Sequence, residues 1–149
     1  MNPGFVGRTY TSDESYIVGR EKIREFARAI DETDGACVDL AAAQALGYVD
    51  LVAPPTFPIV LTYRVSASVV NDPDLGLDFT RVVHGEQSFH YTRPIVAGDE
   101  LTCLLTITDI RQAAGNDIIT TETQISTTAG ELVCRATSTL VARGTAAEE

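Results

Sequence analysis

The chain has 149 residues, 44% of them hydrophobic, and its 11 Lys and Arg against 21 Asp and Glu give a formal charge of −10. That length supports a core of ordinary size in a single domain over residues 1–149, and the charge opposes nucleic-acid phosphates and anionic membrane surfaces as partners. No apolar run reaches bilayer length, and Met1 to Arg8 has neither the basic head nor the apolar stretch of a signal peptide, so a cytoplasmic location is expected.

In chain order, Ser15-Tyr16-Ile17-Val18 offers a short strand. Glu21 to Ile30 places Ile23, Phe26, Ala27 and Ile30 at i, i+3, i+4 and i+7, the apolar stripe of an amphipathic helix. Asp39 can cap a short helix over Leu40 to Leu46, and Gly47 can close it. Thr56 to Val70 is apolar on most sides, with Pro54, Pro55 and Pro58 crowded at its start, where missing N–H donors do little harm. A helix of that kind is expected to be buried all round, and its β-branched content makes a buried strand the rival reading.

The rest reads as strands. Ser88, His90 and Thr92 alternate with Phe89, Tyr91 and Arg93 at the end of a strand over Arg81 to Arg93. Pro94 to Asp99 forms a corner, and Glu100 to Arg111 puts Leu101, Cys103, Leu105 and Ile107 on one face. Ala113 to Asn116 turns the chain into Asp117 to Thr128, Ala129-Gly130 is expected as a two-residue hairpin loop, and Glu131 to Ala142 points Leu132, Cys134, Ala136 and Leu140 inward. Gly144 to Glu149 reads as a short loose tail. Long antiparallel strands with one apolar face, preceded by one apolar helix, define an α+β fold in which a curled sheet encloses that helix. Cys37, Cys103 and Cys134 have no C-x-x-C spacing, which excludes a disulfide framework and a zinc site and leaves buried apolar thiols, with Cys37 in a loop as the one candidate for reactivity. No metal and no cofactor is expected.

Four segments resemble the MaoC-like (R)-3-hydroxyacyl-thioester dehydratases: Gly19 to Ala27 their opening helix, Gly47 to Phe57 the approach to their central helix, Pro94 to Leu101 their hairpin corner, and Gly130 to Val133 their last hairpin. The resemblance implies a hot-dog fold, a dimer, and an acyl tunnel serving substrates carried on acyl carrier protein (ACP) or coenzyme A. It is closest to the small subunits of heterodimeric dehydratases of fatty or mycolic acid elongation. Catalytic members carry a motif like G-D-x-N-P-x-H, whose aspartate and histidine handle the protons. Here Glu32 stands at the aspartate position, Asp34-Gly35 replaces Asn-Pro, and Cys37 stands where the histidine would be.

Water elimination from a 3-hydroxyacyl thioester needs a base for the proton beside the carbonyl, an acid for the leaving hydroxyl, and N–H donors for the enolate oxygen. Histidine suits the proton work near neutral pH. The only histidines, His84 and His90, lie on a later strand. The remaining acid/base candidates are Glu32, Asp34, and the pair His84 and Glu86, which two-residue spacing puts on one strand face with His90. Each has a bland alternative: a solvated loop for Glu32 and Asp34, a surface or dimer contact for His84 and Glu86. Thr56, Phe57, Ile59, Val60 and Tyr63 are the candidate substrate-binding residues, equally readable as core, and the N–H groups of Thr56, Phe57 or Ile59 would have to form any oxyanion hole. The leading expectation is an acyl-binding subunit whose homologous partner supplies the catalytic aspartate and histidine. The alternatives are a self-sufficient homodimeric hydratase or thioesterase, and an acyl-binding protein without catalysis.

Overall fold

The computed structural model describes residues 1–145. Two short strands, β1 (Thr9–Thr11) and β2 (Tyr16–Ile17), precede helix α1 (Arg20–Ala29), helix α2 (Leu40–Ala45) and helix α3 (Ile59–Val70). Four long strands follow: β3 (Val82–Tyr91), β4 (Glu100–Ala113), β5 (Asn116–Thr127) and β6 (Leu132–Ala142). All pairs are antiparallel, in the order β1-β4-β5-β6-β3, with β2 also on β4. β3 is therefore an edge strand. The sheet curls around α3, the hot-dog arrangement that the resemblance implies.

Alternation builds the core. Leu101, Cys103, Leu105 and Ile107 of β4 are buried, as are Ile119 and Ile125 of β5 and Cys134 and Ala136 of β6. They meet Leu61, Val65 and Val69 of α3, and Ile23 and Ala27 of α1 close the layer from outside. Asp39 caps α2 as expected, accepting from Ala41 N at 2.7 Å and Ala42 N at 3.3 Å.

Several local readings need correction. α3 begins at Ile59, because residues 54–58 form a turn whose donors bond three residues back, Phe57 N to Pro54 O at 2.9 Å and Ile59 N to Thr56 O at 3.2 Å. α3 is also not buried all round: Tyr63 is 69% exposed, and Arg64, Ala67 and Ser68 share that open face. The sheet covers only the face carrying Leu61, Thr62, Val65 and Val69, and the Arg64 guanidinium lies instead over the Tyr16 ring, 5.1 Å from its centroid. The β5–β6 connection is a three-residue loop: Thr127 N donates to Glu131 O at 2.8 Å, with Gly130 at φ +91° supplying the left-handed residue. β1 was not anticipated. At the C-terminus Gly144 N donates to Asn116 Oδ1 and the Thr145 hydroxyl to Asp117 Oδ2, so the expected tail does not begin at Gly144, and its remainder lies outside the described residues.

Candidate functional site

Between α3 and the concave sheet face lies a cavity of about 190 Å³. Its surface is mainly apolar, with Val69 and Val70 from α3 opposite Leu105, Ile119 and Leu140 from the sheet, and Leu77 and Phe79 also in the wall. Of the candidate substrate-binding residues, Ile59 and Tyr63 line it. Phe57 does not; it is fully buried and meets Phe26 of α1 edge-to-face, centroids 5.4 Å apart. Thr56 is exposed in the turn, and Val60 is half-buried against the core. Sequence reasoning missed the sheet side of the cavity, including Thr121, Thr123, Ala136 and Ser138. Small and hydroxylated residues at inward positions were the available signal, since each leaves space that Ile or Leu would fill.

β3 does not present its side chains with simple alternation. A bulge lies at Gly85, where the register jumps from His84↔Leu140 to Glu86↔Thr139. Leu140 and Ser138 line the cavity, so their partners His84 and Gln87 face inward and both reach its wall. Glu86 pairs with Thr139 and His90 with Arg135, on the opposite face. The expected His84–Glu86 pair is thus split across the sheet. His84 itself is exposed at the rim, and no carboxylate hydrogen-bonds it among the described residues.

A second cleft, about 580 Å³ and more open, lies beside the loop carrying Glu32, Asp34 and Cys37 and is closed on the other side by Pro55, Tyr91 and Arg93. Its carboxylates serve their own loop: Glu32 Oε1 accepts from Asp34 N at 2.9 Å, and Asp34 Oδ1 accepts from Ala36 N at 2.9 Å. Cys37 is buried, and its thiol is pushed up to about 11, first by burial and then by the charges of Asp34 and Glu32. At that value the thiol stays protonated near neutral pH, the form that is a poor nucleophile. The Tyr91 hydroxyl donates to Pro55 O at 2.8 Å, and burial raises its pKa. Arg93 is held by Asp99 in two hydrogen bonds, 2.8 and 3.0 Å, and by Glu131 at 3.0 Å. Of the three candidate oxyanion donors, the N–H groups of Phe57 and Ile59 are committed to the turn. Thr56 N alone has no acceptor among the described residues.

Four basic residues near the N-terminus are engaged in ion pairs. Arg8 pairs with Asp72, Arg20 with Asp50, Lys22 with Glu25 and Arg24 with Glu21. No group of three or more His, Cys, Asp or Glu among the described residues is placed to hold a metal, and no described helix is long and apolar enough to cross a membrane.

The curled sheet, its single central helix and the cleft at the start of that helix define a hot-dog domain of the MaoC-type dehydratase class. Residues 4–136 match the model of the FAS1-like dehydratase domain region, and the chain belongs to that family, a hydratase and dehydratase family of the hot-dog fold. A UPF0336 protein of Streptomyces griseus is 53% identical over 149 residues, covering 100% of this chain and 98% of the relative. Among solved structures, a chain of the HadBC (3R-hydroxyacyl-ACP dehydratase) complex of Mycobacterium tuberculosis aligns with TM-score 0.85 and 35% identity, over 92% of this chain and 96% of that one. A MaoC-like dehydratase aligns with TM-score 0.88 and 37% identity over 95% of this chain but 43% of its own length.

Proposed function

We propose that this chain is the acyl-binding, non-catalytic subunit of a heterodimeric (R)-3-hydroxyacyl-thioester dehydratase, acting on acyl groups carried by ACP or coenzyme A. One observation carries the reading: the position of the proton-handling imidazole holds Cys37, a buried thiol raised to about 11, while the cavity along α3 remains open. The chain keeps the means to hold an acyl group, while that motif position offers no group able to cycle its proton at neutral pH. β3, ten residues long and at the sheet edge, offers unpaired backbone groups to a second hot-dog chain. The likeness to a chain of a two-component dehydratase complex supports the same reading.

The test is hydration of a trans-2-enoyl thioester by the purified chain alone and after mixing with a homologous chain bearing an intact G-D-x-N-P-x-H motif. The expected result is activity only in the mixture. Robust turnover by this chain alone overturns the proposal, and absence of turnover with such a partner, with acyl ligand still bound, leaves an acyl-binding protein without catalysis. His84 on the cavity wall favours a second reading, a self-sufficient homodimer using that imidazole. That reading requires His84→Ala to remove most of any turnover seen with the chain alone.

A further inference from the structure

The cavity wall carries a band of polar side chains among its apolar ones. Strand registers place Gln87 of β3, Ser138 of β6 and Thr121 of β5 in one row across the concave face. The row on one side is Leu140 beside Ile119, with His84 at the sheet edge, and the row on the other is Ala136 and Leu105 with Thr123 between them. Thr123 extends the polar row by one step along β5. Across the cavity Thr62 and Ser66, four apart on α3, point at this band.

Three of these hydroxyls belong to buried residues and have no partner in the protein among the described residues. Thr62, Thr121 and Thr123 are 5%, 7% and 2% exposed. Their hydroxyls make no hydrogen bond to any described residue, yet no buried side-chain N or O is sealed off without a partner, so the three hydroxyls open into the cavity. The Gln87 amide nitrogen is committed to Thr137 O at 3.0 Å, which leaves its carbonyl oxygen as the free end. Valine has nearly the shape of threonine and would suit an alkyl ligand better, because an alkyl chain lying here leaves several hydroxyls unpaired, at a cost for each. Volume limits what enters: about 190 Å³ is roughly six times the share of one water molecule, room for the six or seven distal non-hydrogen atoms of an acyl chain whose thioester stays outside.

We infer that the cavity selects an acyl chain of short to medium length bearing a hydroxyl or carbonyl oxygen several carbons beyond the thioester, held by the band of Thr121, Ser138, Gln87 and Thr62. This rests on the acyl-binding reading above and adds the substrate class. The pantetheine arm carries similar oxygens, so the free carrier is one arm of the test.

The experiment is titration calorimetry of the full chain with octanoyl-coenzyme A, its 4-, 5- and 6-hydroxy isomers, and coenzyme A alone. At least one hydroxy isomer should bind on the order of tenfold tighter than the plain chain, one or two hydrogen bonds' worth. Thr121→Val should abolish that preference while keeping or improving octanoyl affinity. Ser138→Ala, which removes the neighbouring hydroxyl with little change of shape, gives the same readout independently, and thermal melting of both variants verifies folding. Equal affinity for plain and hydroxylated chains overturns the inference and leaves acyl binding standing. Coenzyme A binding as tightly as every acyl form overturns it in favour of the carrier arm. No binding of any acyl form overturns both readings.

Discussion

Phe57→Ala separates the residues that build the hot dog from those that line its cavity. The ring is fully buried at the turn preceding α3 and stands edge-on to Phe26 of α1, 5.4 Å between centroids at an interplanar angle of 76°. It pins the start of the central helix to the outer helix. Truncation removes the transfer energy of the ring and leaves a void that backbone fixed by Pro54, Pro55 and Pro58 cannot collapse into, so the cost should fall at about 3–5 kcal/mol, the range for buried aromatics. Against a total of about 5–15 kcal/mol this is a large share. For a chain of this size it corresponds to a melting point lower by about 10–15 °C. Urea unfolding followed by circular dichroism, with the m-value checked for constancy, measures it. Tyr63→Ala is the control: with Tyr63 69% exposed on the cavity rim, its truncation should cost under about 0.5 kcal/mol of stability and should weaken acyl binding instead. A Phe57→Ala protein within about 1 kcal/mol of the parent, or a Tyr63→Ala protein equally destabilised, would refute this division of roles.

Three further outcomes are expected. With its thiol at about 11, Cys37 should be alkylated at pH 8 roughly two hundredfold more slowly than a free cysteine, since about one thiol in a thousand is ionised there against about one in four; rapid stoichiometric labelling of the native protein, located by mass spectrometry, would contradict the protonated-thiol reading. Gly98→Ala should cost about 1–2 kcal/mol, because Gly98 turns the β3–β4 corner at φ +94°, where a Cβ is strained even though open space surrounds it; an unchanged melting curve would be evidence against strain there. Arg20 holds the Asp50 carboxyl below its ordinary range through hydrogen bonds at 2.9 and 2.8 Å. A depressed folded pKa gives stability that is present above the unfolded value of about 3.9 and lost as pH falls through the lower folded value. Asp50→Asn should therefore melt lower at pH 7 and lose less than the parent on acidification from pH 5 to pH 3, and parallel acid profiles would show that the pair does not contribute.

What could be read from the sequence was local. The α1 stripe, the Asp39 cap and the inward set of β4 each follow from side-chain period or from one hydrogen-bonding residue, and each stands where expected. In β6, Cys134, Ala136 and Leu140 face inward, but a register shift buries Val133 in place of Leu132. Ile30 marks the limit of such reading: it continues the stripe in sequence but lies past the end of α1, exposed at its C-cap. The apolar run begins at Thr56, three residues before α3, because apolar patterning cannot tell a helix from the turn feeding it, and Pro58 shifts the first full helical bond inward. The exposed face of α3, the bulge in β3 and the sheet wall of the cavity depend on which strands become neighbours and in what register. No window of adjacent residues carries that information.

The bulge shows how much one non-local feature decides. Strict alternation backward from Phe89 and Gln87 would turn Gly85 and Val83 inward and His84 outward. The extra residue at Gly85 reverses the set beyond it, so His84 joins Gln87 on the cavity wall while Glu86 stays on the other face. Glycine suits the position because a Cβ there would meet the Val141 Cγ2 methyl at 3.2 Å and Thr139 O at 3.4 Å. The same irregularity that brings an imidazole to the cavity thereby removes the carboxylate that could have oriented it. A histidine at a cavity rim with no orienting acid is poorly equipped for proton abstraction, whereas the row built from Gln87, Ser138 and Thr121 is intact just inside it. On the proposed reading, chemistry and holding are divided in this chain: the inward face of the sheet would hold the acyl group, while the carboxylates of the Glu32–Asp34 loop bond their own backbone.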